Sequence, residues 1–387
     1  MQRHQPEPNA TPQNPGCPEV PFGSNEIRLT PWQWLLTGIV LAAAAWVVPV
    51  GWTWIEPFEP GADYRIPYRL GYDYWMYNRY CGQVAPEDRT LLVGDSVIWG
   101  HYVAADETLS HYLNELAGED RFANLGVDGI HPAAMAGLLE YYGRAVRGRA
   151  VLLHANLLWM SSTRHDLRSR KEVAFNHPSL VPQFVPAIPC YRESISGRLA
   201  VVVGRHLAFH GWVTHLEAAY FRNMSLATWT VERPYENPLA AVTLELPSPA
   251  EAPSPKPDAR PWTAKQMPRF DAPWVSLDTS VQWRALRRAV AVLRERGNRV
   301  FVLVGPFNEH MLTEESRAVY QRRKREVEAW LRQHDVPHLV ARPLPSDDYA
   351  DASHPLARGY AEVARRLYRN EAFRRFITQA PGMEEPG

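Results

Sequence analysis

Short apolar segments alternate with amphipathic stretches along this 387-residue chain, and this alternation constrains the fold more than any other feature. The clearest segment is Arg299-Val-Phe-Val-Leu-Val-Gly305, which has the length and composition of a strand buried on both faces. We predict strands near residues 90–94, 121–125, 149–156, 299–305 and 337–342, and helices near residues 104–117, 132–147, 280–297, 313–334 and 355–376. This order predicts an α/β fold, with a parallel sheet covered by helices on both faces.

A small polar turn follows the first predicted strand. Gly94-Asp95-Ser96 comes directly after the apolar run Leu91-Leu92-Val93 and suits a tight turn towards a helix. Hydrolases place a nucleophilic serine on such a strand-to-helix turn, because the backbone N–H groups of the turn can face a developing oxyanion. Taken alone, the tripeptide is equally consistent with an ordinary turn.

A second polar segment joins the last predicted strand to the last predicted helix. Asp351 and His354 lie three residues apart there. The carboxylate can fix the tautomer of the imidazole and leave its other nitrogen free to act as a base. Single residues of this kind are usually helix caps or surface groups. However, loops at the carboxyl ends of parallel strands share one crevice, so this segment can meet Ser96.

Together the two segments resemble the SGNH (GDSL-type) hydrolase family. The serine block of the family corresponds to Gly94-Asp95-Ser96, its Asp-x-x-His block corresponds to Asp351–His354, and the resemblance covers roughly residues 90–156 and 282–376. The resemblance implies a three-layer flavodoxin-like fold. It also implies a catalytic triad of Ser96, His354 and Asp351 that requires no metal ion or organic cofactor.

The resemblance further implies an oxyanion hole. Gly126 matches the glycine block of the family, and Asn156 matches its asparagine block. The implied donors are the backbone N–H groups of Ser96 and Gly126 and the side-chain amide of Asn156. The usual Gly-x-Asn-Asp of the family is here His154-Ala-Asn156-Leu, without the glycine or the following acid. Asp95 is a further candidate for contact with the substrate.

The segment Gly305-Pro-Phe-Asn308-Glu-His310 follows the fourth predicted strand. It resembles membrane-anchored SGNH proteins of cell-envelope acyl transfer, such as the D-alanyl-lipoteichoic-acid transfer proteins and the alginate acetylation proteins. Asn308 and His310 are therefore candidates to border the substrate, and a turn with a helix cap is the alternative. This likeness implies an acyl-ester or carbohydrate substrate, with other envelope acyl-transfer proteins as partners.

The N-terminal region predicts a disordered tail and a membrane anchor. Residues 1–28 are polar and Pro-rich. Residues 29–55 carry no charge, are long enough to cross a bilayer, and have tryptophans at both ends. The alternatives are a cleaved signal peptide and a buried soluble helix. The charges that flank the anchor do not fix its orientation in the membrane. We therefore place the catalytic part outside the cytoplasm, on the periplasmic or extracellular face, because the resemblance to the family implies an exported protein.

A long insertion, residues 161–276, separates the two SGNH-like parts at residues 56–160 and 277–380. Because it leaves the strand that carries Asn156, we expect it to begin beside the site and to act as a lid or substrate-binding region. A partly disordered insertion without a chemical role is the alternative. Its predicted helix at 195–222 carries His206, His210 and His215, whose spacing favours core or surface positions over a metal site.

Composition and cysteine content limit the remaining function classes. Lys+Arg and Asp+Glu number 42 each, so no overall charge attracts nucleic acid. Cys81 and Cys190 both follow the anchor, and they either pair in an oxidising compartment or remain free thiols. The sequence thus predicts an exported, membrane-anchored serine esterase or O-acyltransferase. The alternative is a non-catalytic envelope-assembly or polysaccharide-binding protein that retains the same fold.

Overall fold

The computed structural model describes residues 29–378, and within this range it has one sheet of five strands. All neighbouring strands are parallel, and their order is β2-β1-β3-β4-β5. The bounds are β1 Thr90–Val93, β2 Phe122–Asn124, β3 Ala150–Ala155, β4 Arg299–Val304 and β5 His338–Val340. Each strand falls inside its predicted range, and the prediction of an α/β fold with a parallel sheet is confirmed.

Helices cover both faces of the sheet because its central strands bury side chains on both sides. Leu91 and Val93 of β1 belong to one apolar cluster, whereas Leu92 between them belongs to a second. The first cluster includes residues of α2 Tyr74–Val84, α5 Pro132–Tyr141, α10 Val281–Glu295 and α11 Glu314–Gln333. The second includes residues of α4 Leu109–Ala117, α12 Ala357–Arg369 and α13 Glu371–Thr378.

Two predicted helices differ from their observed bounds. Helix α5 ends at Tyr141, whereas the prediction extended to residue 147. The predicted last helix is two helices that meet at Asn370, whose side chain accepts a hydrogen bond of 2.9 Å from the Phe373 N–H, as a helix N-cap does. Because α12 begins only at Ala357, the Asp351–His354 segment lies in the loop before it.

The insertion contains four further α-helices among the described residues: α6 Ile195–Gly204, α7 Ala208–Tyr220, α8 Leu226–Glu232 and α9 Pro238–Ala241. The helix predicted at 195–222 is thus interrupted between α6 and α7. His215 on α7 is buried, whereas His206 and His210 are exposed.

Residues Pro31–Ile55 form α1, a helix without acidic or basic side chains. Its most apolar window has a mean hydropathy of 1.9, so the helix is long and apolar enough to be a membrane anchor or a signal sequence. The predicted tail, residues 1–28, lies outside the described residues. The chain divides into two compact units between Val47 and Val48, so the last two turns of α1 belong to the same unit as the sheet.

A buried charged cluster holds the end of α1 within that unit. Glu56 directly follows the helix, accepts a hydrogen bond of 3.2 Å from Trp52 Nε1, and pairs with Arg79. The His215 ring contacts two carboxylates, Asp73 at 2.6 Å and Glu56 at 2.9 Å. Burial lowers the pKa of His215, but Asp73 and Glu56 more than compensate and raise it to about 9. The imidazolium is therefore the stable form between its two carboxylate partners.

Both cysteines that follow α1 are free thiols in the structure, which is the second alternative given by the sequence. Cys81 lies on α2 in the core, and burial raises the pKa of its thiol to about 12. The thiol therefore stays protonated and unreactive at neutral pH. Cys17 lies outside the described residues.

Candidate active site

Ser96 is the first residue of a short helix, α3 Ser96–Trp99, which begins directly after the turn that leaves β1. The turn requires glycine at residue 94, because a Cβ atom there would lie 2.4 Å from Ile98 Cγ1 and 2.7 Å from His154 Cβ. Asp95 is the N-cap, and its Oδ1 accepts a hydrogen bond of 3.1 Å from the Val97 N–H. The close packing of the turn therefore fixes Ser96 at the carboxyl edge of the sheet.

His354 and Asp351 meet Ser96 at this edge. The Ser96 hydroxyl lies 2.7 Å from His354 Nε2, although the residues are 258 positions apart. His354 Nδ1 lies 2.8 Å from each carboxylate oxygen of Asp351. Because an ionised carboxylate only accepts, Nδ1 carries the proton and Nε2 is left to accept the hydrogen bond from Ser96. The three side chains thus form a connected Ser-His-Asp arrangement with the geometry of a nucleophile and its base.

The electrostatics of the pair favour a basic imidazole. Burial raises the pKa of Asp351, but His354 and the N–H groups of Ser353 and His354 outweigh it and hold that pKa well below its usual range. Burial lowers the pKa of His354, but the Asp351 carboxylate outweighs this effect and the pKa lies above its ordinary value. Asp351 therefore stays ionised at neutral pH and strengthens His354 as a proton acceptor.

Three further residues surround His354 that the sequence analysis did not single out. The rings of His101 and Tyr102 lie 5.4 Å and 5.3 Å from its ring. His101 Nδ1 is in turn 2.7 Å from Asp128 Oδ1. His101 and Tyr102 follow the serine helix, and Asp128 follows Gly126. Their position in the loops after strand ends is the sequence feature that could have identified them as neighbours of the site. Together they form a polar and aromatic wall beside the base.

Asp95 lies beneath the serine and is only 4% exposed. One carboxylate oxygen is 3.1 Å from His154 Nδ1, and the other accepts hydrogen bonds from Asn156 Nδ2 at 2.8 Å and Trp159 Nε1 at 2.9 Å. Burial raises the pKa of Asp95, but these partners, led by His154, lower it to about 2. The structure thus gives this predicted substrate contact a positioning role, in which it ties the serine turn to the end of β3.

The three predicted oxyanion donors lie around the serine turn, and two of them already donate one hydrogen bond within the site. The Ser96 N–H has no acceptor among residues 29–378. The Gly126 N–H donates to Asn124 Oδ1 at 3.0 Å, and the Asn156 amide donates to Asp95. The Ser96 N–H and the second amide hydrogen of Asn156 therefore have no acceptor in the described part of the chain, and only the Gly126 N–H must exchange its partner to bind an oxyanion.

Asn124 is another residue whose role the sequence analysis did not predict. Besides accepting from Gly126, it donates a hydrogen bond of 2.8 Å to the carbonyl oxygen of Ile98. A Cβ atom at Gly126 would lie 2.5 Å from the Trp99 nitrogen, so the loop after β2 packs directly on the serine helix. Asn124 and Gly126 thus fix the distance between the two predicted backbone donors.

The predicted substrate-border residues Asn308 and His310 support neighbouring loops. Asn308 is fully buried and donates its amide to the Asp351 carbonyl oxygen at 3.0 Å, while its N–H donates to Ala352 at 2.9 Å. Its Oδ1 has no partner in the described part of the chain. His310 Nε2 donates to the Leu344 carbonyl oxygen at 3.0 Å. Asn308 therefore holds the segment that carries the triad acid and base, and His310 holds the loop after β5.

The start of the insertion lies beside this site, as its exit from β3 predicts. Trp159, which donates to Asp95, also lines a small cavity of about 210 Å³ with five polar or aromatic neighbours: His131, Arg164, His165, Phe175 and Asn176. Residues of the insertion therefore reach the immediate surroundings of Asp95.

No family model matches the chain, and no curated protein matches it with significant similarity.

Proposed function

We propose that this chain is a membrane-anchored serine hydrolase of the SGNH (GDSL-type) family, and that it cleaves or transfers an acyl ester. The observation that carries the proposal is the continuous contact from Ser96 Oγ to His354 Nε2 and from His354 Nδ1 to Asp351. A serine hydroxyl is a weak nucleophile unless a base removes its proton, and here an oriented, acid-supported imidazole lies within hydrogen-bond distance.

In the first half of the proposed reaction, Ser96 Oγ attacks the ester carbonyl carbon while His354 Nε2 takes the hydroxyl proton. The oxyanion that forms is stabilised by the Ser96 N–H and the second amide hydrogen of Asn156, joined by the Gly126 N–H after it exchanges its partner. The C–O bond to the leaving alcohol then breaks, and His354 returns the proton to that alcohol. The product is an acyl group bound covalently to Ser96.

In the second half, a water molecule or a sugar hydroxyl gives its proton to His354 and attacks the acyl carbon. The bond to Ser96 Oγ breaks, and the proton passes from His354 to the serine. Water as acceptor makes the protein an esterase, and a sugar hydroxyl makes it an O-acyltransferase. We propose a cell-envelope or extracellular carbohydrate as the partner substrate, with α1 as the anchor and the catalytic part outside the cytoplasm.

A second candidate function is a non-catalytic binding platform for envelope assembly. The observation that favours it is the hydrogen bond from the Gly126 N–H to Asn124, which leaves one of the three predicted oxyanion donors engaged within its own loop. The two candidates differ in whether Ser96 forms a covalent intermediate.

The experiment is hydrolysis of a short-chain nitrophenyl ester by the full-length chain in phospholipid nanodiscs, with and without a glucan acceptor. We expect Ser96→Ala to abolish nitrophenol release while the circular dichroism spectrum stays unchanged. The matched control is Ser110→Ala, which changes another buried serine whose hydroxyl bonds to Thr108. A fluorophosphonate should add to the parent and to the control, but not to Ser96→Ala. Equal turnover by parent and Ser96→Ala would contradict the assignment and favour the binding platform.

A further inference from the structure

Large exposed apolar side chains concentrate in one part of the sheet-containing unit. Beyond α1, the described residues of this kind are Phe184, Val185, Ile195, Leu199, Val203, Leu207, Phe209, Val231, Tyr235 and Leu239, with only Tyr72 and Leu116 elsewhere. All ten members of this group belong to the insertion. Apolar surface concentrated in this way marks a face that contacts another protein or a membrane.

Helix α6 is the clearest element of this face. Its sequence is Ile195-Ser-Gly-Arg-Leu-Ala-Val-Val-Val-Gly204, and none of its ten residues is buried. Ile195, Leu199 and Val203 are spaced by four residues, so they share one side of the helix, and each is more than half exposed. An apolar helix that leaves one whole side exposed can bury that side against another apolar partner.

This face is continuous with the end of α1. The Phe209 ring lies 5.4 Å from Trp212, and Trp212 lies 5.6 Å from Trp52 in the last turns of α1. The helices that carry Val231 and Leu239 join the same region, because Trp229 and Val242 belong to one apolar cluster with Trp52. We name the surface made by α6, the start of α7, α8 and α9 the insertion face.

We infer that the insertion face lies in the interfacial layer of the lipid bilayer, beside the point where α1 enters it. The inference rests on the proposed role of α1 as an uncleaved anchor. The continuity from Trp52 through Trp212 to the exposed Phe209 at the start of α7 argues for lipid as the occupant, because the apolar surface begins at the residues that border the anchor end. Interfacial helices attach in this way, with their apolar side chains among the headgroups and upper acyl chains.

The two arginines nearest the apolar side chains of α6 indicate that the attachment is apolar rather than electrostatic. Arg198 donates to the Tyr191 carbonyl oxygen at 3.1 Å, and Arg205 donates to Ser179 at 2.7 Å and to Val181 at 2.6 Å. Both guanidinium groups are thus held against their own domain. Immersion of the face should therefore occur in zwitterionic lipid and should persist at high salt.

The test measures depth at single positions of the full-length chain in zwitterionic nanodiscs. Leu199→Cys and Val231→Cys report on the face, Leu116→Cys is the matched exposed leucine on α4, and Val40→Cys reports on the anchor, each in a Cys17→Ser background with a nitroxide label. Collision with oxygen, which partitions into lipid, is compared with collision with a water-soluble nickel chelate. We expect the oxygen-to-nickel ratio at 199 and 231 to be several-fold higher than at 116, at low and high salt alike.

Every other result overturns the inference, and the pattern of ratios shows which part of it is wrong. A ratio at 199 and 231 equal to that at 116, with a lipid-like ratio at 40, rejects the membrane face and leaves the anchor intact. An aqueous ratio at 40 rejects the anchor and the face together. Shielding of 199 from both reagents shows a protein on the face, and dipolar coupling between labels then identifies a second copy. Nitrophenyl ester turnover by the same labelled samples reports separately on the proposed catalytic function.

Discussion

The Tyr360 hydroxyl donates a hydrogen bond of 2.6 Å to the carbonyl oxygen of Val97, and this bond joins α12 to the serine helix. Tyr360 lies six residues after His354, and Val97 follows Ser96 directly. The bond therefore constrains the segments that carry Ser96 and His354 relative to each other. Both residues are buried, and the carbonyl oxygen has little access to water. The contact between Ser96 and His354 is therefore supported by a hydrogen bond outside these two residues.

Tyr360→Phe tests this constraint. We expect a loss of about 1–3 kcal/mol in the free energy of unfolding, since a buried acceptor is left without its donor. We also expect kcat to fall with little change in KM, because the Ser96–His354 contact loosens. Urea unfolding and steady-state kinetics measure the two effects. The matched control is Tyr80→Phe, which removes another buried tyrosine hydroxyl, bonded to the Tyr64 carbonyl oxygen. The prediction fails if the control lowers kcat equally.

The pH dependence of catalysis follows from the environment of His354. The base must be neutral to accept the serine proton, and Asp351 raises the pKa of His354 above its ordinary value. The kcat/KM should therefore rise with pH and reach half of its plateau above about pH 6.5, the ordinary midpoint of histidine. Asp351→Asn removes the largest raising influence, so the midpoint should move to lower pH while the plateau drops by about 10⁴.

A smaller shift in the same direction should follow Asp128→Asn, because Asp128 also raises the pKa of His354. The matched control is Asp278→Asn, an exposed carboxylate that does not contribute to that pKa. Profiles of kcat/KM against pH for the four proteins give the comparison. An unchanged midpoint in Asp351→Asn would mean that another group controls the rate.

The Asp95 network predicts a contribution to acid stability. Its pKa is lowered to about 2, so this contribution is present above the unfolded value and is lost as the pH falls from about 4 through 2. The lowering corresponds to roughly 2 kcal/mol. Asp95→Asn should therefore flatten the dependence of the unfolding free energy on pH between 5 and 2.5. Chemical unfolding at several pH values measures this, and a slope equal to that of the parent would contradict it.

The buried His215, which contacts Glu56 at the end of α1, should make the stability of the protein decrease as the pH rises, opposite to the effect of Asp95. Its pKa is raised to about 9, so its contribution is complete below the unfolded value near 6.5 and is lost as the pH rises through 9. We expect the melting temperature to fall between pH 7 and 9.5, and His215→Gln to remove most of this dependence. His210→Gln, an exposed histidine on the same helix, should leave it unchanged.

The sequence was sufficient to place the strands and to predict that Ser96, Asp351 and His354 meet, because both predictions start from local patterns. Apolar runs that end in small or polar residues define strand ends, and parallel strand ends share one edge, so Ser96, Asp351 and His354 could be expected to meet. The contacts of Asp95 with His154 and Trp159 depend on how the ends of β1 and β3 align, and no local pattern encodes that register. Helix α2 was not predicted as a helix because the consecutive run Tyr74-Trp-Met-Tyr77 obscures the helical spacing of its buried residues, which are Met76, Tyr77, Tyr80, Cys81 and Val84.

The role of Asn156 is the point at which sequence and structure differ most, and two substitutions separate its alternatives. Asn156 and Trp159 donate to the same oxygen of Asp95, at 2.8 Å and 2.9 Å. If Asn156 becomes an oxyanion donor in the transition state, Asn156→Ala should lower kcat by about 10²–10³ with little change in KM. Trp159→Phe removes the second donor to that oxygen but no oxyanion donor, so its effect on kcat should be much smaller. Equal losses in the two variants would mean that Asn156 only positions Asp95, and that the backbone donors alone stabilise the oxyanion.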